Sequence, residues 1–119
     1  MKNMSFMLTI PQMEDRTKDV TRRVAWWNLK AGDELMAVEK SQGLKNGEKV
    51  KPLYPIQILS ARAEPLCLLT EDIDYGYAAL LREGFPNMHP LEFVQFFCDT
   101  HHCKPDVVVN RIEFKEYAD

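Results

Sequence analysis

Three residues with the spacing Lys-x-x-Thr-x-Arg, Lys18, Thr21 and Arg23, form the motif in this sequence best suited to chemistry. If the chain is extended from residue 20 to 24, Thr21 and Arg23 point to the same face, and Lys18 can curl back from the preceding turn to join them. An arginine fork and a lysine ammonium suit a phosphate or a carbonyl oxygen. A lysine next to another cation can also act as a base toward a hydroxyl. Spacing alone leaves an ordinary surface cluster open as the alternative.

The distribution of charge along the chain favours an anionic ligand for this segment. Residues 16 to 62 contain ten Lys and Arg and five Asp and Glu. Residues 63 to 119 contain four Lys and Arg and eleven Asp and Glu, and the net charge of the whole chain is -3. If the basic half forms one face, it attracts phosphates despite the acidic total. The alternative is a set of scattered, solvated lysines.

Hydrophobic periodicity and turn residues predict the elements that position the motif. We predict strands over residues 5–10, 21–27, 34–39, 50–66 and 107–114, a short helix over 12–17, and longer helices over 70–82 and 87–104. Gly32 is expected in a turn, Gly84 at a helix end and Asn87 as a helix cap. Three prolines make the strand over 50–66 an edge or bent strand. Too few crossover helices remain for a parallel sheet, which predicts an α+β fold: a mixed or mainly antiparallel barrel-like sheet with helices at one side.

Length and composition predict a single domain over residues 1–119, with a core that needs no disulfide. No stretch approaches the roughly 20 apolar residues needed to span a bilayer, and residues 1–10 lack the features of a signal peptide. Three cysteines fit a reducing compartment, so we expect a cytoplasmic protein with free thiols and no membrane partner. The oligomeric state is not predicted.

The segment from Cys98 to Cys103 contains two cysteines and two histidines, which are metal-ligand residue types. A closed zinc site normally draws on two such clusters, and His89 and Cys67 form no second pair. We therefore expect no metal and no cofactor, with Cys98 on the apolar stripe of a helix and the two histidines at its C-terminus.

Four short motifs follow one another in a characteristic order. They are the Lys-x-x-Thr-x-Arg motif, Leu29 to Asp33 before a strand, Glu83 to Phe85 before a helix, and the closing strand from Val108 to Phe114. In this order they resemble the ASCH domain family, whose fold is a PUA-like β-barrel, and the resemblance extends from about residue 6 to 117. Trp26-Trp27 and the segment from residue 38 to 44 are similar to ASCH proteins of phage and prophage genomes.

The resemblance implies a cleft beside the barrel that takes RNA or a nucleoside. Small bacterial members deacetylate N4-acetylcytidine with a lysine base, a threonine nucleophile and a glutamate proton donor. By motif position these roles fall on Lys18, Thr21 and Glu83, and Arg23 would hold a carbonyl oxygen or an anionic group. Asp19 departs from the family, because it stands where a hydroxyl residue is frequent, and its charge beside Lys18 would keep that lysine protonated.

We therefore expect an ASCH module that binds RNA or a modified nucleoside in a basic cleft. The expected ligand contacts are Lys18, Thr21, Arg22, Arg23, Trp27 and Lys40. Trp27 would offer a stacking surface for a base, although adjacent tryptophans in a strand more often place one ring in the core. The alternative is an N4-acetylcytidine amidohydrolase that acts through Lys18, Thr21 and Glu83. A third is a phage accessory protein whose partner is another protein.

Overall fold

The computed structural model describes residues 1–118, which form five strands, four α-helices and a 3-10 turn at Met7–Thr9. The elements in chain order are β1 (Lys2–Ser5), α1 (Ile10–Glu14), β2 (Val20–Arg23), β3 (Glu34–Val38), β4 (Pro52–Pro65), α2 (Leu68–Glu71), α3 (Ile73–Glu83), α4 (Pro90–His101) and β5 (Val108–Glu116).

The five strands form one sheet in the order β1-β3-β4-β5-β2. The β1–β3 pair is parallel and the other three pairs are antiparallel, so the sheet is mixed. It curls into a half-barrel, an arrangement compatible with a PUA-like barrel. The predicted α+β fold class is therefore confirmed. Two or three helices were expected, and the structure has four, because the helix predicted over 70–82 is divided into α2 and α3.

Alternate residues of the strands supply two cores. Ile56 and Ile58 of β4 are buried together on one face, as predicted, whereas Leu59 is exposed on the other. The barrel core inside the curl comprises Met4, Phe6, Met13, Leu35, Ala37, Tyr54, Ile56, Ile58, Ile112 and Phe114. The helix core between the sheet and α2, α3 and α4 comprises Leu66, Leu69, Ala79, Leu80, Phe93, Val94, Phe97, Cys98 and Val109. Thr21 and Arg23 of the charged motif lie on β2, and Lys18 precedes this strand.

One strand prediction is wrong, and a second, of an edge or bent strand, is right only in the bend. The first strand covers Lys2–Ser5 rather than residues 5–10, because it pairs with β3 and the chain then turns into α1, where Pro11 occupies the first turn. The predicted edge strand, β4, is central, between β3 and β5. Its predicted bend is present as an irregularity in the pairing between Ile58 and Ser60.

Turns and caps set the remaining element ends. Gly32 and Gly84 have φ angles of 94° and 95°, so both predicted glycine positions are confirmed. The helix predicted over 70–82 is divided at Asp72, whose side chain accepts the Tyr75 backbone N–H and caps α3. The cap of α4 is His89, two residues after the predicted Asn87, with Pro90 at the first helical position. None of the helices within residues 1–118 has the length and apolar character of a transmembrane span.

Candidate functional site

A cleft of about 470 Å³ lies at the open side of the half-barrel. The outermost strands of the sheet are β1 and β2, and the curl brings them close enough that Arg23 Nη2 donates a hydrogen bond to the Ser5 carbonyl, at 2.6 Å. The cleft lies between this contact and the helices. Its polar lining includes Thr9, Lys18, Thr21, Arg22, Arg23, Gln42 and Glu83.

Lys18 precedes β2 and turns toward the C-terminal end of α3. Its ammonium donates to Glu83 Oε2 and to the Glu83 carbonyl oxygen, both at 2.9 Å. The side chains of Lys18 and Glu83 are 2% and 3% exposed. Burial lowers the pKa of Lys18, the Glu83 carboxylate opposes this, and the charges of Arg23 and Arg22 act in the same direction as burial. The predicted turning back of Lys18 therefore brings it to Glu83, some sixty residues away.

Arg22 is buried near Lys18, between β2 and α3. Its guanidinium binds Glu83 Oε1 at 2.9 Å and Glu64 Oε2 at 2.8 and 3.1 Å. Tyr75 Oη donates to the other Glu64 oxygen at 2.6 Å. We call Lys18, Arg22, Glu64 and Glu83 the buried charge network, since their side chains are 0 to 5% exposed. Arg22 lines the cleft as predicted for a ligand contact, but its hydrogen bonds are directed at these carboxylates.

Thr21 and Arg23 point to the same face of β2, away from Arg22. Arg23 Nε donates to Thr21 Oγ1 at 3.0 Å, which leaves the hydroxyl proton of Thr21 available for another acceptor. Within residues 1–118 no carboxylate lies within ion-pair distance of Arg23, whose guanidinium is 4.8 Å from the centroid of the Phe6 ring. Burial lowers the pKa of Arg23 to about 10, so it remains charged at neutral pH. Within the described residues Arg23 thus lines the cleft without an ion pair, and the Glu83 carboxylate acts on it only from beyond ion-pair distance.

Aromatic side chains form another part of the cleft lining, the aromatic wall, which the sequence did not lead us to predict. The rings of Phe85, Phe93, Phe96 and Phe97 line the cleft, with successive centroids 5.6 to 6.2 Å apart. The His101 ring stacks on Phe97 at 4.1 Å and continues the wall. The spacing of residues 93, 96 and 97 places three rings on one side of α4. That spacing is the signal in the sequence that could have predicted the wall.

Two predicted contacts lie outside this cleft. Trp27 is half exposed and lines a different cavity, with Leu29 and Leu35, whereas Trp26 is partly buried against the barrel core. Lys40 lines an adjoining cavity of about 280 Å³, which it shares with Arg23. The structure therefore brings together Lys18, Thr21, Arg22, Arg23 and Glu83, and places Trp27 apart from them.

Asp19 has a different partner from the one expected. Its carboxylate accepts hydrogen bonds from Arg82, with Nη2 at 3.0 Å, and the carboxylate that contacts Lys18 is that of Glu83. The interpretation that Asp19 keeps Lys18 protonated is therefore wrong.

The expected basic face is also interrupted, because acids of the second half of the chain approach the bases of the first half. Arg16 pairs with Glu116, and Arg22 pairs with Glu64 and Glu83. The bases at the cleft are therefore largely matched by carboxylates, and Arg23 is the exception.

The Cys98 to Cys103 segment ends α4. Within the described residues no group of three or more His, Cys, Asp or Glu side chains is arranged to hold a metal ion. Burial and a hydrogen bond with Cys103 raise the pKa of Cys98 to about 11, so it remains a thiol at neutral pH. His102 ends the helix with a φ of 53°. Of this segment, Thr100 and His101 line the cleft.

Comparison with known proteins adds little to this geometry. No protein family model matches the chain, and no curated protein matches it. Among solved structures, the chain is similar to the crystal structure of a DUF984 protein from Enterococcus faecalis, with 15% sequence identity and a TM-score of 0.49. That similarity covers 92% of this chain and 71% of the other.

Proposed function

We propose that this protein is an ASCH-type module of PUA-like architecture that binds the base of a modified cytosine nucleoside, free or unstacked from RNA, in the cleft at the open side of the half-barrel. The observation that carries the proposal is the pairing of two unlike walls. Hydrogen-bonding groups of β2 and α3 and the aromatic side chains of residues 85 to 97 line the same cavity.

A nucleobase needs both kinds of wall. Its faces stack on aromatic rings, and its edge presents hydrogen-bond donors and acceptors. The polar wall offers both roles, since Arg23 and the Thr21 hydroxyl donate and the Glu83 carboxylate accepts. The volume of about 470 Å³ lies within the usual range for small-molecule sites.

Calorimetric titration with cytidine and with N4-acetylcytidine tests the binding proposal. Phe96→Ala removes the most exposed phenylalanine of the aromatic wall, and we expect it to weaken binding roughly tenfold or more, the usual range for loss of one stacked base. Leu91→Ala is the matched control, because Leu91 is an exposed residue of the same helix that does not line the cleft. Absence of binding to either nucleoside, or equal losses in the two variants, would refute the proposal.

A second candidate, an amidohydrolase that removes the N4-acetyl group, is supported by the lowered pKa of Lys18. A neutral Lys18 can accept the proton of the Thr21 hydroxyl as its oxygen attacks the acetyl carbonyl. The bond between the carbonyl carbon and N4 then breaks, and N4 receives this proton, passed from Lys18 through the Glu83 carboxyl group. Water hydrolyses the resulting threonine ester, releasing acetate and cytidine. Lys18 and Glu83, hydrogen-bonded at 2.9 Å, can exchange the proton that this cycle requires.

Chromatographic detection of cytidine after incubation with N4-acetylcytidine separates the two candidates. If the protein is an enzyme, Thr21→Val abolishes turnover and only weakens binding, because valine keeps the shape of threonine and lacks one hydrogen-bonding hydroxyl. Thr21→Ser retains the nucleophile and is the matched control. Binding without turnover by the unaltered protein would leave the binding module and exclude the amidohydrolase.

A further inference from the structure

We propose that the ligand carries a phosphate monoester on its ribose, and that this phosphate binds in the adjoining cavity between Arg23 and Lys40. The inference rests on the proposed function, because it assigns the cleft to the base and the adjoining cavity to the phosphate. It narrows the ligand class from nucleosides to nucleotides.

Arg23 is positioned to contact both parts of such a ligand, because it lines both cavities. A guanidinium has five N–H donors. The hydrogen bonds of Arg23 within residues 1–118 use two of them, one to Thr21 Oγ1 and one to the Ser5 carbonyl oxygen. With no carboxylate at ion-pair distance among those residues, three donors and a full positive charge remain for an anion.

The lining of the adjoining cavity suits an anion. It comprises Ser5, Met7, Arg23, Trp26, Lys40, Ser41 and Gln42, a set with two cations and no carboxylate. Lys40 is held at 3.6 Å by Glu48, a longer contact than those of the buried charge network, and its side chain is 34% exposed. Its ammonium is therefore free to turn toward a phosphate at small cost.

The distribution of carboxylates between the two cavities assigns the two parts of the ligand. In the cleft, the charges of Lys18 and Arg22 are matched by those of Glu83 and Glu64, and the Glu83 carboxylate would repel a phosphate. A neutral base suits that cavity. In the adjoining cavity the lining charge is positive, and Arg23 lies at the junction. A nucleotide joins a neutral base to an anionic phosphate, so a single ligand can occupy both adjoining cavities.

Calorimetric titrations of the same protein with cytidine, cytidine 5′-monophosphate and cytidine 3′-monophosphate, and with the N4-acetyl form of each, test the inference. We expect one of the two phosphate positions to improve the Kd by roughly ten- to a hundredfold over the corresponding nucleoside, the range for one new charge-assisted contact. Inorganic phosphate is the further probe, since it competes for the adjoining cavity alone.

Lys40→Met separates the two cavities, because Lys40 lines the adjoining cavity and not the cleft. It should reduce the advantage of the nucleotide at least about threefold and leave the Kd of the nucleoside unchanged. Lys45→Met removes an exposed charge from the same loop without touching either lining and is the matched control. Equal affinity for nucleoside and nucleotide, or equal effects of the two variants, would overturn the inference and leave the proposed function intact. Failure to bind any of the six ligands would overturn both.

Discussion

Two arginines of this protein each lie between two carboxylates, in nearly the same geometry and in different surroundings. Arg22 contacts Glu64 at 2.8 Å and Glu83 at 2.9 Å, with all three side chains 0 to 5% exposed. Arg82 contacts Asp19 at 3.0 Å and Glu113 at 2.9 Å, with side chains 26 to 49% exposed. We call the second group the surface charge cluster. Distances alone do not distinguish the two groups, and access to water does.

The difference predicts different consequences of losing a partner. In the surface charge cluster water and salt replace a missing ion, so each contact stabilises the fold by about 0 to 1 kcal/mol. In the buried charge network the remaining ion keeps its desolvation cost and has no substitute partner. The network also holds Glu83 and Lys18 at the cleft. We therefore expect stability and ligand binding to depend together on the buried network and neither to depend strongly on the surface cluster.

The largest effect is expected for Glu83→Gln. The substitution removes the carboxylate that pairs with Lys18 and leaves Arg22 paired with Glu64 alone. We therefore expect the free energy of unfolding to fall by about 3–5 kcal/mol in urea titrations at pH 7. Glu113→Gln in the surface charge cluster is the control and should lose about 0.2–1 kcal/mol. Comparable losses in the two variants would mean that water reaches the buried network.

Arg22→Lys is expected to have the next largest effect. Lysine keeps the charge but cannot bridge Glu64 and Glu83 with a planar fork, so we expect a loss of about 2 kcal/mol in the same unfolding experiment. Arg82→Lys makes the matching change in the surface charge cluster and should cost less than about 0.5 kcal/mol. If Arg22→Lys were equally mild, the bridging of Glu64 and Glu83 by one guanidinium would not be what holds the network.

Features that depend on local sequence could be predicted, and features that depend on tertiary packing could not. Local patterns were sufficient for the strand faces and glycine turns, because the burial of Ile56 and Ile58 and the φ of Gly84 depend on side-chain periodicity and on steric freedom at one residue. The prolines of β4 suggested an edge strand, but β4 pairs with a strand on each side. Pairing partners are set by the whole sheet, which no local window contains.

At the cleft, motif spacing predicted that Thr21 and Arg23 share a face, which the geometry of a strand ensures. The partner of each charge could not be predicted from spacing. Asp19 is next to Lys18 in sequence, yet the strand directs it to Arg82, and Glu83 reaches Lys18 from a helix end. Whether the aromatic wall and β2 line the same cavity likewise depends on how α4 packs.

Tyr75→Phe tests the edge of the buried network by pH. Burial tends to raise the pKa of Glu64, but hydrogen bonds from Tyr75 and Arg22 and nearby positive charge outweigh it and hold the pKa below its usual value of 4.5. A lowered folded pKa stabilises the protein above pH 4.5, and this contribution is lost as the pH falls through the folded pKa. We expect Tyr75→Phe to cost about 1.5 kcal/mol at pH 7 and progressively less below pH 4.5.

Urea titrations at a series of pH values measure this difference. Tyr77→Phe is the control, because Tyr77 lies on the same helix, is 47% exposed and is not in contact with Glu64. A loss that stayed constant from pH 7 to pH 3 would show that the Tyr75 hydroxyl acts through packing rather than through the charge of Glu64.

The smallest effect is expected for Asp19→Asn, which sharpens the comparison through its dependence on salt. Asp19 is 49% exposed and Arg82 retains Glu113, so at low salt we expect a loss of at most about 0.5 kcal/mol. At about 1 M salt the Debye length falls to about 3 Å, and the difference from the unaltered protein should vanish. The stability lost in Glu83→Gln should remain lost at high salt, because dissolved ions do not screen the charges of side chains that are 0 to 5% exposed. If salt reduced both losses alike, the buried charge network would be accessible to ions, and its hold on Lys18 would weaken with ionic strength as the surface charge cluster does.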